Sequence, residues 1–321
     1  MVTTTLRKLA DQHGLTVGAA VASGKLRSDS HYRGLLKREF NAITTENALK
    51  MGPVHPEPAT YDFSDADAIV SFGNAYDMTV RGHTLVWHSQ QPTWLCPWER
   101  TDDELEHILR SHIHTVAGRY RSSIDVWDVV NEAVLGDGSI RETAWYDAMG
   151  EEYLDKAFEW TNEVAPDATL CYNDYGAEGM NAKADGIYEL LARLVDRGVP
   201  VDGVGLQMHA LHQKPDIDEV AQNVERLQEL GLEVHLTEID VSYPVASKPE
   251  DHLAAQAEYY QDLFELSLEM NINTMVMWGV RDSDSWVRSA FPDVTGDPLL
   301  FDGRNSPKPA YESVTSLLSE V

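Results

Sequence analysis

Eight short runs of apolar or alternating residues recur along the chain, at 17–22, 40–47, 79–87, 124–132, 169–175, 201–209, 233–240 and 274–280, each followed by a stretch with helical period. A strand-length apolar run trailed by an amphipathic segment is the pattern of a β/α unit on a parallel sheet. Eight such units can close as a barrel, whereas an open doubly wound sheet usually has fewer strands and often a glycine-rich phosphate turn after the first. That position here reads VGAAVASGKL, without GxGxxG spacing. The expectation is therefore an α/β chain forming one (β/α)8 TIM barrel over 1–321. No Gly/Ser linker, Pro-rich stretch or internal sequence repeat divides it. The helical segments mark their own limits. Residues 101–120 open with the cap-like TDDE, 181–197 stop at Gly198 and Pro200, 216–230 stop at Gly231, and 309–318 close the chain.

Hydrophobic residues make up 43% of the 321 and are spread over the whole length, enough for one continuous core. The net charge of -28 argues against nucleic acid as a partner. Its acids are scattered rather than gathered in a tail, and self-repulsion on this scale disfavours compaction in dilute buffer. Two readings follow: a surface adapted to high salt, where screening shortens repulsion to about 3 Å at 1 M, or an ordinary acidic enzyme. No run approaches membrane-spanning length, so no membrane partner is expected. The opening MVTTTLRKLADQHG lacks a signal peptide's apolar core, and localisation stays open. Cys96 and Cys171 lack metal-ligand spacing and are expected to be free thiols.

Polar and aromatic residues that a core would not choose gather at the C-terminal ends of the proposed strands, which is the catalytic face of such a barrel. They are Glu46 and Asn47 with Lys50 just beyond; His83, Trp87 and His88; Asn131 and Glu132; Asn173 and Tyr175; Gln207 and His209; Glu238 and Asp240; and Trp278 with Trp286 following. Glu132 and Glu238 stand out because each ends a strongly apolar strand, IDVWDVVNE and EVHLTE, where a charge must find partners or do chemistry. The fourth and seventh strands lie nearly across a barrel, so the two carboxylates can face each other over a ligand. Acetal cleavage needs such a pair, about 5 to 5.5 Å apart for retention and 6.5 to 9.5 Å for inversion. Asn131 can bond a sugar 2-hydroxyl, and His209 with Asp240 can orient and charge-balance Glu238. Trp87, Trp278 and Trp286 suit stacking on pyranose faces, while Trp127 and Trp160 belong to the core. Several histidines are available, but no HxH, HExxH or Cys/His cluster occurs, so neither a metal nor a cofactor is expected.

The segments FNAITTENALK, RGHTLVWHSQQPTW, WDVVNEA, CYNDY, VDGVGLQMH, LTEID and WGVRDSDSW, in that order, resemble the xylanases of glycoside hydrolase family 10, and the likeness runs from LRKLADQHG to KPAY. It implies a retaining endo-β-1,4-xylanase with Glu132 as acid/base, Glu238 as nucleophile and His209 and Asp240 as the nucleophile's supporting pair. It further implies sugar contacts on the glycone side from Glu46, Asn47, Lys50, His83, Trp87, Gln207 and Trp278, with Asn131 beside the acid/base and Trp286 over the cleft. His88 and Gln90 share one of these motifs. Tyr175 is expected to touch sugar as well. The implied partners are xylan and xylo-oligosaccharides, handled by a monomer. Three positions depart from the family's habit: Met51 where Trp is common, Gly176 where Asn is common, and Asp284 where a larger residue is common. Met51 bears on distal glycone binding and Gly176 on a contact to the leaving group. Two alternatives stand beside this reading, a β-1,4-glucanase or aryl-cellobiosidase using the same site, and a non-catalytic carbohydrate-binding barrel.

Overall fold

The computed structural model describes residues 4–321 and is a closed eight-stranded parallel barrel ringed by helices, as the alternation predicts. The strands are β1 (Thr16–Ala20), β2 (Ala42–Thr44), β3 (Thr79–Trp87), β4 (Val126–Asn131), β5 (Thr169–Asp174), β6 (Gly203–Leu206), β7 (Glu233–Val241) and β8 (Thr274–Met277). Each strand pairs in parallel with its sequence neighbour, and β1 closes the ring on β8. After Leu206 the sixth strand breaks and resumes as His209–Ala210, pairing with Asp240 and Val241.

The helices fall where local chemistry places them. Thr101 and Glu104 form a reciprocal capping box at the head of Asp102–Arg119, and Asn181 and Asp216 cap Ala182–Asp196 and Ile217–Glu229 through their side-chain oxygens. Gly198 and Gly231 sit just beyond the last two in left-handed conformation. The final helix, Pro309–Glu320, packs against His252–Met270 and against the N-terminal Leu6–His13. One hydrophobic cluster runs through the barrel and its helices, and Trp127 and Trp160 lie within it. No helix among the described residues is long and apolar enough to cross a membrane.

The proposed strands overrun the observed ones mainly on the catalytic face. The run 40–47 shrinks to Ala42–Thr44, 124–132 to Val126–Asn131 and 201–209 to Gly203–Leu206 before its break. The cause is backbone geometry: Glu46, Glu132 and Met208 adopt φ of 41°, 60° and 60°, left-handed values that end a ladder. A non-glycine residue there costs about 1 to 2 kcal/mol, so surrounding contacts must hold it.

Candidate active site

Glu132 is turned out of β4 by such contacts. Its N–H donates to the Asn173 carbonyl at 2.9 Å, the Glu132 carbonyl accepts from Arg141 Nε at 2.9 Å, and the next N–H, of Ala133, donates to the Tyr172 hydroxyl at 3.0 Å. The carboxylate then accepts from Trp87 Nε1 at 2.8 Å on Oε2, and from Asn131 Nδ2 at 3.2 Å and Gln207 Nε2 at 3.3 Å on Oε1. His88 Nδ1 lies 3.8 Å from Oε2. That ring nitrogen is otherwise buried without a hydrogen-bond partner, and burial, then the charge of Arg141, push its pKa down.

Glu238 is deeper. Asn173 Nδ2 donates to Oε1 at 2.8 Å, and His209 Nε2 lies 3.3 Å from Oε2. Burial raises the pKa of Glu238, but the hydrogen bond from His209 and the nearby imidazoles of His83 and His209 more than offset it, holding the group below the usual carboxylate value. The other ring nitrogen of His209 lies 3.1 Å from Asp240 Oδ2, which also accepts from Trp286 Nε1 at 2.7 Å. Burial disfavours charge on His209, yet its two carboxylate partners prevail and push its pKa up to about 10. At Asp240 burial wins instead and the pKa is raised, in keeping with a fully buried group whose Oδ1 has no hydrogen-bond partner. His209 thus stays an imidazolium at neutral pH, set between Glu238 and Asp240.

The two glutamates are joined by amides. Asn173 Nδ2 bonds both Glu238 and Asn131 Oδ1, the latter at 2.8 Å, while Asn131 Nδ2 reaches Glu132. Thr237 Oγ1 donates to Asn173 Oδ1 at 2.6 Å and fixes which way that amide points. Beneath lies a buried charged layer: Arg81 is paired with Asp128, and Asp128 also meets His83 Nδ1 at 2.9 Å. Burial would neutralise Asp128, but Arg81 and His83 hold its pKa down.

The remaining candidates line one cleft of about 1020 Å³ with the two glutamates. On the β2 and β3 side, Lys50 Nζ donates to Asn47 Oδ1 at 2.8 Å and stands 4.8 Å over the Trp87 ring, and Asn47 Nδ2 donates to Glu46 Oε1 at 2.9 Å. Burial lowers the Lys50 pKa against the pull of Glu238, Glu46 and Glu132, and burial raises that of Glu46. Trp278 meets His83 edge-on at 5.2 Å. Tyr175 sits at the rim, 42% exposed, with Lys183 Nζ 3.5 Å from its ring centre.

Of the residues that the sequence places at the strand ends, all line the cleft except His88, Asn173 and Asp240, the last of which lies behind His209. Asn173, two residues before the end of its proposed strand, takes its role from bonds to residues on other strands, which no sequence motif marks. Asp128 and Arg81 escaped the strand-end criterion because they sit mid-strand; a charge inside an apolar run was the available signal. Gln90 lines the cleft, Met51 is buried away from it, and Gly176 borders it with open space where a side chain would stand. Asp284 pairs with Arg281 at 2.5 Å and Lys25 at 2.9 Å outside the cleft lining. Cys96 and Cys171 are unbonded to each other. Among the described residues no group of three His, Cys, Asp or Glu side chains is arranged to hold a metal.

The model of glycosyl hydrolase family 10 matches residues 5–317. The chain is 40% identical to endo-1,4-beta-xylanase B of Thermotoga neapolitana over 98% of its own length and 92% of that protein's. It is similar to the crystal structure of native xylanase 10B from Thermotoga maritima, at 40% identity and a TM-score of 0.94, covering 98% of both chains. Xylanase 10B from Thermotoga petrophila, solved in complex with xylobiose, is 39% identical with a TM-score of 0.95, over 100% of this chain and 98% of that one.

Proposed function

The chain belongs to glycosyl hydrolase family 10, and from that premise we propose that it is an endo-1,4-β-xylanase cutting the xylan backbone with retention, Glu132 acting as acid/base and Glu238 as nucleophile. The observation that carries the assignment is the contrast between the carboxylates. Glu238 is buried but kept ionised beneath an imidazolium, whereas Glu132 sits at the cleft wall under an indole N–H.

In the first step Glu238 attacks the anomeric carbon while Glu132 gives its proton to the departing glycosidic oxygen, so one C–O bond forms as the other breaks. In the second step Glu132, now a carboxylate, takes a proton from water, which attacks the same carbon and expels Glu238. Two inversions leave the β configuration. Asn131 is placed to bond the 2-hydroxyl of the reacting sugar, an interaction that strengthens as oxocarbenium character develops. Glu46, Asn47, Lys50, His83, Trp87, Gln207 and Trp278 hold the glycone, Tyr175 contributes at the rim, and Trp286 covers the cleft while bracing Asp240. The chemistry calls on no cofactor, and a monomer suffices for it, since the acid/base, the nucleophile and the nucleophile's supporting pair belong to one chain.

The test is sugar release from soluble xylan beside mixed-linkage β-glucan, with the first-formed anomer read by NMR. Xylan-selective release of β product is expected. Comparable kcat/KM on xylobiosides and cellobiosides would move the assignment to a β-1,4-glucanase, α product would refute retention, and silence from folded protein would favour a binding barrel. The charge of -28 supports a further element, a surface adapted to high salt. Melting temperature should then rise from low to molar salt, and a flat or falling curve refutes it.

A further inference from the structure

The break in the sixth strand falls between partners of the two glutamates. On one flank the Gln207 amide donates to Glu132 Oε1 and to Asn131 Oδ1, each at 3.3 Å; on the other the His209 imidazole lies 3.3 Å from Glu238 and 3.1 Å from Asp240. Met208 stands between them with φ of 60°. Up to Gln207 the backbone is held by the ladder, its N–H donating to the Asp174 carbonyl at 2.9 Å and its carbonyl accepting from the Glu238 N–H at 2.9 Å. A left-handed residue swings the next N–H out of that ladder, and a buried N–H then needs another acceptor.

That acceptor is a side chain. Glu178, in the loop after β5, is buried, and its Oε1 accepts from the Met208 N–H at 3.0 Å and from the Gly176 N–H at 3.1 Å. Gly176 is itself left-handed, with φ of 66°. One carboxylate oxygen thus clasps two left-handed residues from two loops. The clasp is anchored from behind by Asn223, buried on the helix Ile217–Glu229, whose Nδ2 donates to the Ala177 carbonyl at 2.8 Å and to the Glu178 carbonyl at 3.2 Å. Arg226 Nε in turn donates to Asn223 Oδ1 at 2.8 Å and fixes which way that amide points. No step of the double displacement calls on Glu178, although it borders the cleft.

We propose that Glu178 is a positioning residue for both catalytic carboxylates: by holding the left-handed turn at Met208 it sets the aim of Gln207 on Glu132 and of His209 on Glu238. This rests on the assignment of Glu132 as acid/base and Glu238 as nucleophile. Both N–H groups use the same oxygen, so the turn requires an acceptor at that point rather than a charge. The groups that can offset the charge of Glu238 differ in their mounting. His83 Nδ1, 3.9 Å from Glu238 Oε1, is held by Asp128 at 2.9 Å, and Lys50, which feels the pull of Glu238, is held by Asn47 at 2.8 Å. His209 alone follows the break directly, so a loosened turn moves His209, and with it the ionisation of Glu238, while leaving the other two in place.

The experiment compares the intact wild type with Glu178→Gln, Glu178→Asp and Glu178→Ala. It reads kcat and KM on xylan, and the pH profile of kcat/KM on dinitrophenyl β-xylobioside, whose aglycone departs without a proton. Glutamine keeps the acceptor oxygen in place, aspartate keeps the charge but draws the oxygen back by one methylene, and alanine removes both. Glu178→Gln should keep kcat within about twofold and leave the acid limb unmoved. Glu178→Asp and Glu178→Ala should lose about ten- to a hundredfold in kcat with KM within about threefold, and their acid limb should move upward by about one pH unit as His209 shifts from Glu238. A purely structural role would lower the melting temperature without moving the limb, so an unmoved limb in the aspartate and alanine variants overturns the proposal. So would a glutamine variant as impaired as alanine, because the charge rather than the acceptor would then matter. Should alanine fail to fold, the contrast between glutamine and aspartate decides by the same criteria. Wild-type protein inactive on both substrates would overturn the underlying assignment of the two glutamates, and the proposal with it, an outcome distinct from the others.

Discussion

Replacing His209 by Gln would remove one charge while keeping a hydrogen-bond donor, and so separates the two ways His209 can serve Glu238. The imidazole lies 3.3 Å from Glu238 and 3.1 Å from Asp240. At an effective dielectric of about 20, a unit charge 3.3 Å from another contributes roughly 5 kcal/mol of attraction. Without it, two buried carboxylates are left with no cation between them. Burial, already the largest influence on both, then prevails and the pair takes up a proton. The acid limb of kcat/KM should move upward by about 1 to 3 pH units, the usual effect of losing an opposite charge at contact. The assay is the pH profile on dinitrophenyl β-xylobioside, because a leaving group that needs no proton makes the limb report the nucleophile rather than Glu132. A lower plateau with an unmoved limb would refute the electrostatic argument and leave His209 as a spacer.

Glu238→Ala should abolish turnover on every substrate, while Glu132→Ala should lose about a hundredfold or more on xylan and far less on the dinitrophenyl glycoside; equal losses for Glu132→Ala would count against its acid role. Because the folded-state pKa of His209 is raised to about 10 from 6.5, its stabilisation is fully present below pH 6.5 and is lost as pH rises through 10. Urea midpoints should therefore fall between pH 7 and 10 in the wild type and fall less in His209→Gln. His112 has the opposite sign: burial depresses its pKa to about 3, both ring nitrogens lack partners, and His55 stacks 5.6 Å away, so the native state resists a proton that the unfolded chain accepts. Stability should decline as pH falls from about 6.5, and His112→Phe should flatten that decline in acid titrations followed by circular dichroism. In Gly205→Ala the new methyl would meet Asn173 Oδ1 at 2.1 Å, displacing the amide that joins the glutamates. A tenfold or greater loss of kcat is expected with a cost of about 1 to 3 kcal/mol in stability, and unchanged kcat would show the amide bridge to be dispensable.

The eight strands and their helices are legible because a β/α barrel repeats one pattern, apolar run then amphipathic turn, and repetition survives local noise. The catalytic side chains are legible for the same reason, since they fall where an apolar run meets a polar residue: Glu132 after IDVWDVVN, Glu238 within EVHLTEID. What periodicity cannot carry is the partner on the next strand. His83 stands beside Asp128 in the β3–β4 ladder, Asn131 beside Asn173 in β4–β5, and His209 beside Asp240 where the second leg of the sixth strand meets β7. In each case side chains at matched register positions meet in the same layer, and in each the pair fixes a group at the cleft. Only the last was expected, from the charge that an imidazole and a carboxylate beside Glu238 can balance. The information missing from the sequence was thus one integer per strand pair, the register.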